Sequence, residues 1–420
     1  MKKVLLAILA LGVLAGCTAQ SAPSLSGGDS GVKGMSYKAE LVAQPVGPLN
    51  SDFVNGINDF GFSAAAYLYG SDNLALSPVS IELALAMTRA GAVGQTKEDM
   101  AAALKLSGLS DQQIADACRA LMWRANTGGM EAANALWVGQ GLTLSDEFAA
   151  SCTDDFMADA YALQIPGAMD AINAWASEKT KGRINDIIEQ ELDPGIRMVL
   201  ANALYFLGDW EEPFTADETY DEEFQSAAGG SVTAPFMHST RALPFYDGDG
   251  FSMITLGFKG EEGGGQYAMA FLLPDEDSSV DALLASMSAE QFAQALSGAE
   301  TRNAIVSLPK FEFSYFSSLR DMLMDAGMEL AFSDGADFTA MTAEQTGLCI
   351  DDVLHKCFVK VDELGAEAAA VTVVEMRETA IMLPDNAVEF KADRPFVFAI
   401  YSLEDGAIAF LGAVNDVSQG

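Results

Sequence analysis

The chain has 420 residues, of which 50% are hydrophobic and 20% are charged. This is a globular composition, long enough for one large domain or two ordinary ones. Its 60 acidic and 23 basic residues give a net charge of −37 at neutral pH. Such a charge opposes binding to nucleic acid, to anionic lipid headgroups and to heparin-like polyanions. It also favours solubility, which is the interpretation we prefer.

The N-terminus has the pattern of a targeting segment. Two lysines precede the apolar run VLLAILALGVLA, which is too short for a comfortable membrane span. The LAGC sequence that ends at Cys17 resembles a bacterial lipobox, which implies cleavage before Cys17 and a lipid on its thiol. An ordinary signal peptide with a coincidental cysteine is the alternative. We therefore interpret residues 1–16 as a lipoprotein signal peptide, 17–48 as the lipidated cysteine and a flexible tether, and 49–420 as the folded domain. The protein is then exported, as a cell-surface lipoprotein or an extracellular protein, and contacts the membrane only through the lipid.

The first part of the folded region has helical periodicity. Apolar residues recur at helical spacing from Asp52 to Tyr69. Ser77 or Ser80 can cap the next helix, which ends near Gly91 or Gly94. Thr96 is the expected N-cap of a third helix. Further helical segments cover residues 111–127, 145–160 and 168–190, the last with a turn at Gly182.

The pattern changes to strands at Met198. Residues 198–210, MVLANALYFLGDW, are almost continuously apolar, as expected of a buried central strand. Further strand candidates are residues 252–258, 267–274, 304–315, 355–363, 367–376, 388–402 and 407–414. Helices precede strands without regular alternation, which predicts an α+β fold.

The chemistry-bearing residues predict neither an enzyme nor a metal or cofactor site. Four cysteines follow Cys17, and their spacing fits no zinc motif and no disulfide scaffold, so we expect buried free thiols whose redox state the sequence leaves open: Cys118, Cys152, Cys349 and Cys357. The only histidines are His238 and His355. The sequence contains no G-x-S-x-G, H-E-x-x-H, P-loop or dinucleotide-binding glycine motif.

Segments in six parts of the folded region resemble one protein family in identity, order and spacing: 73–100, 180–188, 198–214, 308–342, 353–373, and 392–400 with 409–417. They are similar to the N-terminal signature, the central strand, the loop-entry strand and the closing strands of the serpins. The resemblance implies a serpin fold, with three β-sheets, about eight or nine helices and an exposed reactive-centre loop. It also implies a monomeric inhibitor rather than an enzyme. A target serine protease cuts the loop and forms an acyl-enzyme, and the loop then inserts into the central sheet. Some serpins trap cysteine proteases, and nothing in the sequence excludes that.

The loop sequence permits insertion on its own chemistry, because strand side chains alternate between two faces. One face is uncharged and the opposite face holds the charges: the first comprises Ala366, Ala368, Ala370, Thr372, Val374 and Met376, and the second Glu367, Ala369, Val371, Val373, Glu375 and Arg377. The resemblance makes Glu363 and residues 365–372 the hinge, with Gly365 as a flexible pivot. An ordinary strand or a short helix is the alternative, since alanine-rich runs can be helical.

The same resemblance places the cleaved bond. Many inhibitory serpins are cut sixteen residues after the hinge glutamate, which here gives the bond between Thr379 and Ala380. Threonine fits an elastase-like or subtilisin-like protease. Arg377, Met376 and Glu378 are the alternative residues at the cut.

A polar cluster beneath the sheet, called the shutter in serpins, corresponds to Ser77, Ser80, Asn202 and His355. Buried polar groups must find partners, and such a cluster can exchange bonds as strands part. A satisfied core histidine is the alternative. Trp210 lies near the expected point of loop entry, or is simply core. A non-inhibitory serpin that binds a ligand or is cut as a substrate remains the second function, and an unrelated solute-binding lipoprotein the third.

Overall fold

The computed structural model describes residues 36–38, 49–139, 141–163, 165–260, 266–344, 348–366 and 386–418. The predictions for Cys17, for hinge residues 367–372 and for cleavage residues 376–380 lie outside these ranges. The described residues all belong to one compact unit, Val32–Gly420. None of the helices in these ranges has the length and apolar character needed to cross a membrane.

The described ranges contain nine α-helices: α1 (Ser51–Leu68), α2 (Pro78–Ala90), α3 (Gly94–Ala103), α4 (Asp111–Thr127), α5 (Asp146–Asp154), α6 (Ala168–Lys179), α7 (Val280–Ser286), α8 (Ala289–Gly298) and α9 (Arg320–Leu323). Short 3₁₀ turns (Ala216–Glu218, Glu329–Phe332) and a π-turn (Met324–Met328) complete the helical structure there. Capping explains the starts of two of these helices. The Ser77 hydroxyl accepts from the Ser80 amide at the start of α2, and Ser110 with Gln113 forms a capping box on α4.

The strands of the described residues are β1 (Ser36–Tyr37), β2 (Leu74–Leu76), β3 (Met130–Val138), β4 (Asp159–Ala162), β5 (Met198–Phe206), β6 (Gly208–Asp209), β7 (Thr219–Gln225), β8 (Ser231–Asp247), β9 (Phe251–Gly257), β10 (Tyr267–Pro274), β11 (Glu300–Pro309), β12 (Phe311–Ser318), β13 (Asp352–Val361), β14 (Gly365–Ala366), β15 (Val388–Lys391), β16 (Phe396–Ser402) and β17 (Ile408–Val414). A six-stranded sheet, the central sheet, has the order β1-β4-β3-β5-β13-β12. A nine-stranded sheet, the large sheet, has the order β15-β11-β8-β9-β10-β16-β17-β2, with β7 paired to β8. The strands β14 and β6 form a third sheet. These sheets and helices confirm the predicted α+β class.

Helix α2 lies between the two larger sheets. It contacts β3 and β5 on one side and β17 on the other, and twelve of its thirteen residues are buried. Its apolar side chains join those of both sheets in the main core. Helix α6 and the segment after it cover the opposite face of the central sheet, with a second core around Trp175, Ile184 and Ile187.

Several local predictions were wrong. Helix α5 ends at Asp154 rather than near residue 160, because the chain enters β4 at Asp159. The described residues after Gly182 form no second helix and instead cover the central sheet. Thr96 lies inside α3, and its hydroxyl accepts the Asp337 amide at 2.9 Å. The edge strand β1 lies in the segment interpreted as a tether and pairs with β4.

The four cysteines in the described ranges are free thiols: Cys118, Cys152 and Cys357 are buried, and Cys349 is partly exposed. Burial raises the pKa of Cys118 well above its usual value, chiefly because the thiolate would lose its hydration. A buried thiol with a raised pKa stays protonated and unreactive. These side chains therefore contribute to packing.

Candidate functional site

Strands β5 and β13 are parallel neighbours at the middle of the central sheet. Their pairing runs from Asp352 opposite Val199 to Phe358 opposite Tyr205. Strand β13 continues to Val361, beyond the last of these pairs. Because the two strands run in the same direction, an antiparallel strand placed between them could pair with both. We call this line of pairing the seam.

The chain turns back at the end of the seam where β5 and β13 finish, which we call the open end. After β13 it reverses, and Gly365–Ala366 pairs antiparallel with Gly208–Asp209, immediately after β5. A Cβ atom on Gly365 would lie 1.9 Å from the Gly208 carbonyl oxygen, so this approach of two backbones requires glycine. Ala366 is only 2% exposed and belongs to the main core. The segment that leads into the loop therefore already runs antiparallel to β5.

Trp210 fixes this reversal. Its backbone N–H donates to the Leu364 carbonyl at 2.8 Å, and its indole N–H donates to the Asp362 carbonyl at 2.9 Å. The ring is fully buried and stacks on Phe258 with centroids 4.5 Å apart. Trp210 is thus core, and it also holds the chain at the entrance to the seam.

The hinge glutamate is fixed as well. The Glu363 carboxylate accepts from the Lys310 ammonium at 2.8 Å, and the Glu363 carbonyl accepts from the Phe214 amide at 2.8 Å. Burial acts to raise the pKa of Glu363, but the Lys310 ammonium, together with hydrogen bonds from the Glu363 backbone N–H and the Thr219 hydroxyl, holds that pKa below its usual value. Glu363 is therefore ionised and tied to β11 and β12, which Lys310 joins.

His355 lies on the main-core side of the seam and is completely buried. Its Nδ1 bonds to the Asn202 side-chain oxygen at 2.9 Å, and its Nε2 faces the Ser77 amide and the Cys357 thiol, each at 3.1 Å. This pattern assigns the neutral tautomer with the proton on Nδ1, because the Ser77 N–H needs an acceptor. Burial lowers the pKa of His355 to about 3.

Asn202 connects His355 to strand β3 and to helix α2. Its amide nitrogen lies 2.6 Å from the Asn134 side-chain oxygen and 3.1 Å from the Ser80 carbonyl, and it also bonds the Ser80 hydroxyl. In the register of the sheet, Asn202 stands opposite Asn134 on β3 and His355 on β13. The structure thus brings all four predicted shutter residues into one network across the seam.

Sequence reasoning missed three members of this site. Cys357 lies two residues from His355 on the same strand, so the period-two pattern could have indicated it. Asn134 interrupts an apolar strand, which is a weaker signal for a buried partner. Lys310 had no local signal, because its pairing with Glu363 depends on how distant strands meet.

The other face of the seam is covered by the segment that follows α6. Leu354 of β13 and Ala201 of β5 pack with Ile187 in the second core. The Lys356 ammonium donates to the Asp186 carbonyl at 2.5 Å.

The described residues thus form an α+β protein of three sheets, whose central sheet has a parallel seam with an antiparallel segment of the chain at one end. The chain matches the profile of the family described as serpin (serine protease inhibitor) over residues 55–417. It is 36% identical over 376 residues to an uncharacterized serpin-like protein of Thermococcus kodakarensis, covering 87% of this chain and 86% of that protein. It is 33% identical over 379 residues to Iripin-3 of Ixodes ricinus, covering 85% and 93%. The chain belongs to the serpin family.

Solved structures share the architecture. The native state of the thermophilic serpin Tengpin superposes with a TM-score of 0.82 at 29% identity, covering 90% of this chain and 97% of that one. Thyroxine-binding globulin in complex with thyroxine superposes with a TM-score of 0.75 at 24% identity, covering 87% and 99%, and shows the fold alone. The predicted serpin fold and family are confirmed. Serpins in general are inhibitors of serine proteases rather than enzymes, which supports a role in protease inhibition.

Proposed function

We propose that this chain is a monomeric suicide inhibitor of extracellular serine proteases, exported and tethered to a bacterial surface by a lipid on Cys17. The protease serine attacks the carbonyl carbon of Thr379, and Ala380 leaves with the new amine. The resulting ester links Thr379 to the protease. The loop then enters the seam and carries the protease with it, so that water cannot complete hydrolysis. The observation that carries this proposal is the antiparallel pairing of Gly365–Ala366 with Gly208–Asp209.

The register of this pairing fits insertion along the whole of β5. Gly365 stands opposite Asp209 and Ala366 opposite Gly208. Continued residue by residue, the same register brings Met376 opposite Met198, where β5 begins. Thr379 would then lie about 40 Å from Ala366, at about 3.3 Å per residue. The loop is therefore long enough to carry a linked protease past the far end of the sheet.

The chemistry of the two faces fits the same register. Ala366 points into the main core, and the uncharged residues from Ala368 to Met376 share its face. Thr372 comes opposite Asn202 and so between Asn202 and His355, where its hydroxyl can replace the bond that insertion breaks. The charged residues Glu367, Glu375 and Arg377 fall on the opposite face.

The cleaved bond sets the class of target. A threonine at the cut favours elastase-like or subtilisin-like proteases. A cut after Arg377 would instead favour trypsin-like enzymes, and a cut after Met376 chymotrypsin-like ones, with Glu378 as a further alternative. Cysteine proteases are a further class to test, because their thiol can form the equivalent thioester.

The test is to incubate the purified chain with elastase, subtilisin, trypsin and chymotrypsin and to separate the products on a denaturing gel. We expect a covalent band at the summed mass with elastase or subtilisin, and a released C-terminal fragment that begins at Ala380. A fragment with another N-terminus moves the cleaved bond and keeps the mechanism. Cleavage by all four enzymes without any covalent band contradicts inhibition.

A non-inhibitory serpin that acts as a binding protein or a plain substrate is the second candidate. The observation in its favour is that thyroxine-binding globulin, which binds thyroxine, has the same fold. The uncharged face that continues from Ala366 favours inhibition, because a charge there would oppose insertion.

A further inference from the structure

At the far end of the seam, where β5 and β13 begin, further hydrogen bonds hold the two strands together. The Asp351 carboxylate accepts the backbone N–H groups of Arg197 at 2.6 Å and Met198 at 3.0 Å. The Asp351 amide in turn donates to the Met198 carbonyl at 3.1 Å. The Arg320 guanidinium donates to the Asp351 carbonyl. Asp351 therefore bonds Met198, the first residue of β5, through both its backbone and its side chain, and Arg197 just before it through its side chain.

The next residue, Asp352, makes its side-chain bonds on the other side of β13. Its carboxylate accepts from the Ser318 hydroxyl at 2.6 Å, at the end of β12, and from the Val353 amide at 2.7 Å. The two consecutive carboxylates thus bond the start of β13 to β5 on one side and to β12 on the other. Of the two, the Asp351 carboxylate is the one that crosses the seam.

The register of the hinge places Asp351 at the end of the insertion path. Continued from Gly365 opposite Asp209, it brings Met376 opposite Met198. Neighbouring strands lie about 4.8 Å apart, so an added strand doubles the distance between β5 and β13. The bonds from Asp351 to Arg197 and Met198 cannot span that distance. Complete insertion must break them, whereas the bond from Asp352 to Ser318 can remain.

We propose that Asp351 is a positioning residue that latches the far end of the seam and sets the rate at which strand insertion is completed. The inference rests on the proposed function, since the latch acts only when a strand enters the seam. Hydrogen bonds to an ionised acceptor are stronger than neutral ones. A carboxylate that holds two backbone donors therefore resists the opening more than the neutral strand pairing around it.

The test compares Asp351→Ala with the matched variant Asp352→Ala in the full-length chain. An acetylated, fluorescent synthetic peptide with the sequence of residues 367–377 is added, and its rate of incorporation is measured. We expect Asp351→Ala to take up the peptide about tenfold faster than the unmodified chain, and Asp352→Ala to stay within about twofold of it. Asp351→Asn keeps a neutral acceptor and should fall between them. Asp351→Ser replaces the alanine variant if that variant does not fold.

Unfolding midpoints measured in parallel separate a latch from general loosening, because loss of stability alone would accelerate both alanine variants. Equal acceleration, no acceleration in Asp351→Ala, or no peptide uptake by any form would overturn the inference. Failure of the proposed function looks different. If no protease forms a covalent complex but peptide uptake still depends on Asp351, the latch stands and the inhibitory role does not. If covalent complexes form but the rate of peptide uptake does not depend on Asp351, the inhibitory role stands and the latch does not.

Discussion

A single buried acid on α2 has no obvious structural partner. Glu82 is fully buried, and within the described part of the chain its carboxylate oxygens meet no hydrogen-bond donor. Burial raises the pKa of Glu82 well above its usual value, and the charge of Arg89 opposes this only in part. The fold therefore accommodates the protonated form. The contribution of Glu82 to the free energy of unfolding is fully present below the pKa that Glu82 has in the unfolded chain. It is lost as pH rises through the pKa that Glu82 has in the folded protein.

Replacing Glu82 with Gln should remove that loss, because glutamine keeps the shape without the charge. From about pH 4.3 up to the folded pKa, the unmodified chain loses about 1.4 kcal/mol per pH unit through this group. The midpoint of the first guanidinium transition, measured at about pH 5 and about pH 8, should show a variant whose advantage grows with pH. Glu98→Gln, on the exposed side of α3, is the control. An advantage that is equal at both pH values contradicts the prediction.

His355 has the opposite pH dependence. Its folded pKa is lowered from 6.5 to about 3, so the stability it supplies is present above pH 6.5 and is lost as pH falls toward 3. Protonation of Nε2 would also deprive the Ser77 amide of its acceptor. We expect His355→Gln to be less stable than the unmodified chain at about pH 7.5 but to lose less stability at about pH 5. Parallel losses in the two proteins would refute this role for the shutter histidine.

Among the elements, the proposed mechanism depends most on β14 and the loop that continues it. A glutamate on the inserting face would have to be buried without a partner, which costs several kcal/mol. Ala368→Glu should therefore convert the inhibitor into a substrate and lower the yield of covalent complex by at least about tenfold. Ala369→Glu, on the face that already carries Glu367 and Glu375, should retain most of the yield. Densitometry of the covalent band and the cleaved band measures both variants, and equal yields would show that the faces are not distinguished.

Local signals predicted some elements well and others badly. The helical period predicted residues 111–127, which are the bounds of α4, because its caps and its apolar stripe are both local. The hairpin of β7 and β8 escaped prediction, since exposed acidic residues interrupt its pattern. The division of residues 304–315 into β11 and β12 at Lys310 was not predicted either.

Some residues of the candidate site could likewise be predicted from the sequence, and others could not. The family resemblance indicated Ser77, Asn202 and His355, although His355 and Asn202 lie 153 residues apart in the chain. Asp351, by contrast, carries no motif. Its partners are backbone groups at the start of β5, and only the register between two strands brings them together. Sequence reasoning could not supply that register.

At the scale of the whole molecule, the parallel strands β5 and β13 lie side by side, although an antiparallel strand placed between them could pair with both. The two strands β5 and β13 are paired directly with each other, and the proposed function requires the loop to enter between them. Cutting the loop would free the segment that has to enter. About ten residues would then gain strand hydrogen bonds at about 0.5–1.5 kcal/mol each, or about 10 kcal/mol in total. We infer that the intact native state is less stable than the cleaved and inserted one.

Limited proteolysis within the loop, by an enzyme that forms no covalent complex, should therefore stabilise the protein. We expect the Tm of the cut chain to rise by at least about 10 °C, given a few degrees per kcal/mol for a domain of moderate size. Differential scanning calorimetry of intact and cut chain measures the change. The Ala368→Glu chain, cut at the same bond, is the control and should show little rise, because its loop cannot enter the seam. A cut unmodified chain that unfolds at or below the temperature of the intact one would mean that the seam does not accept the loop.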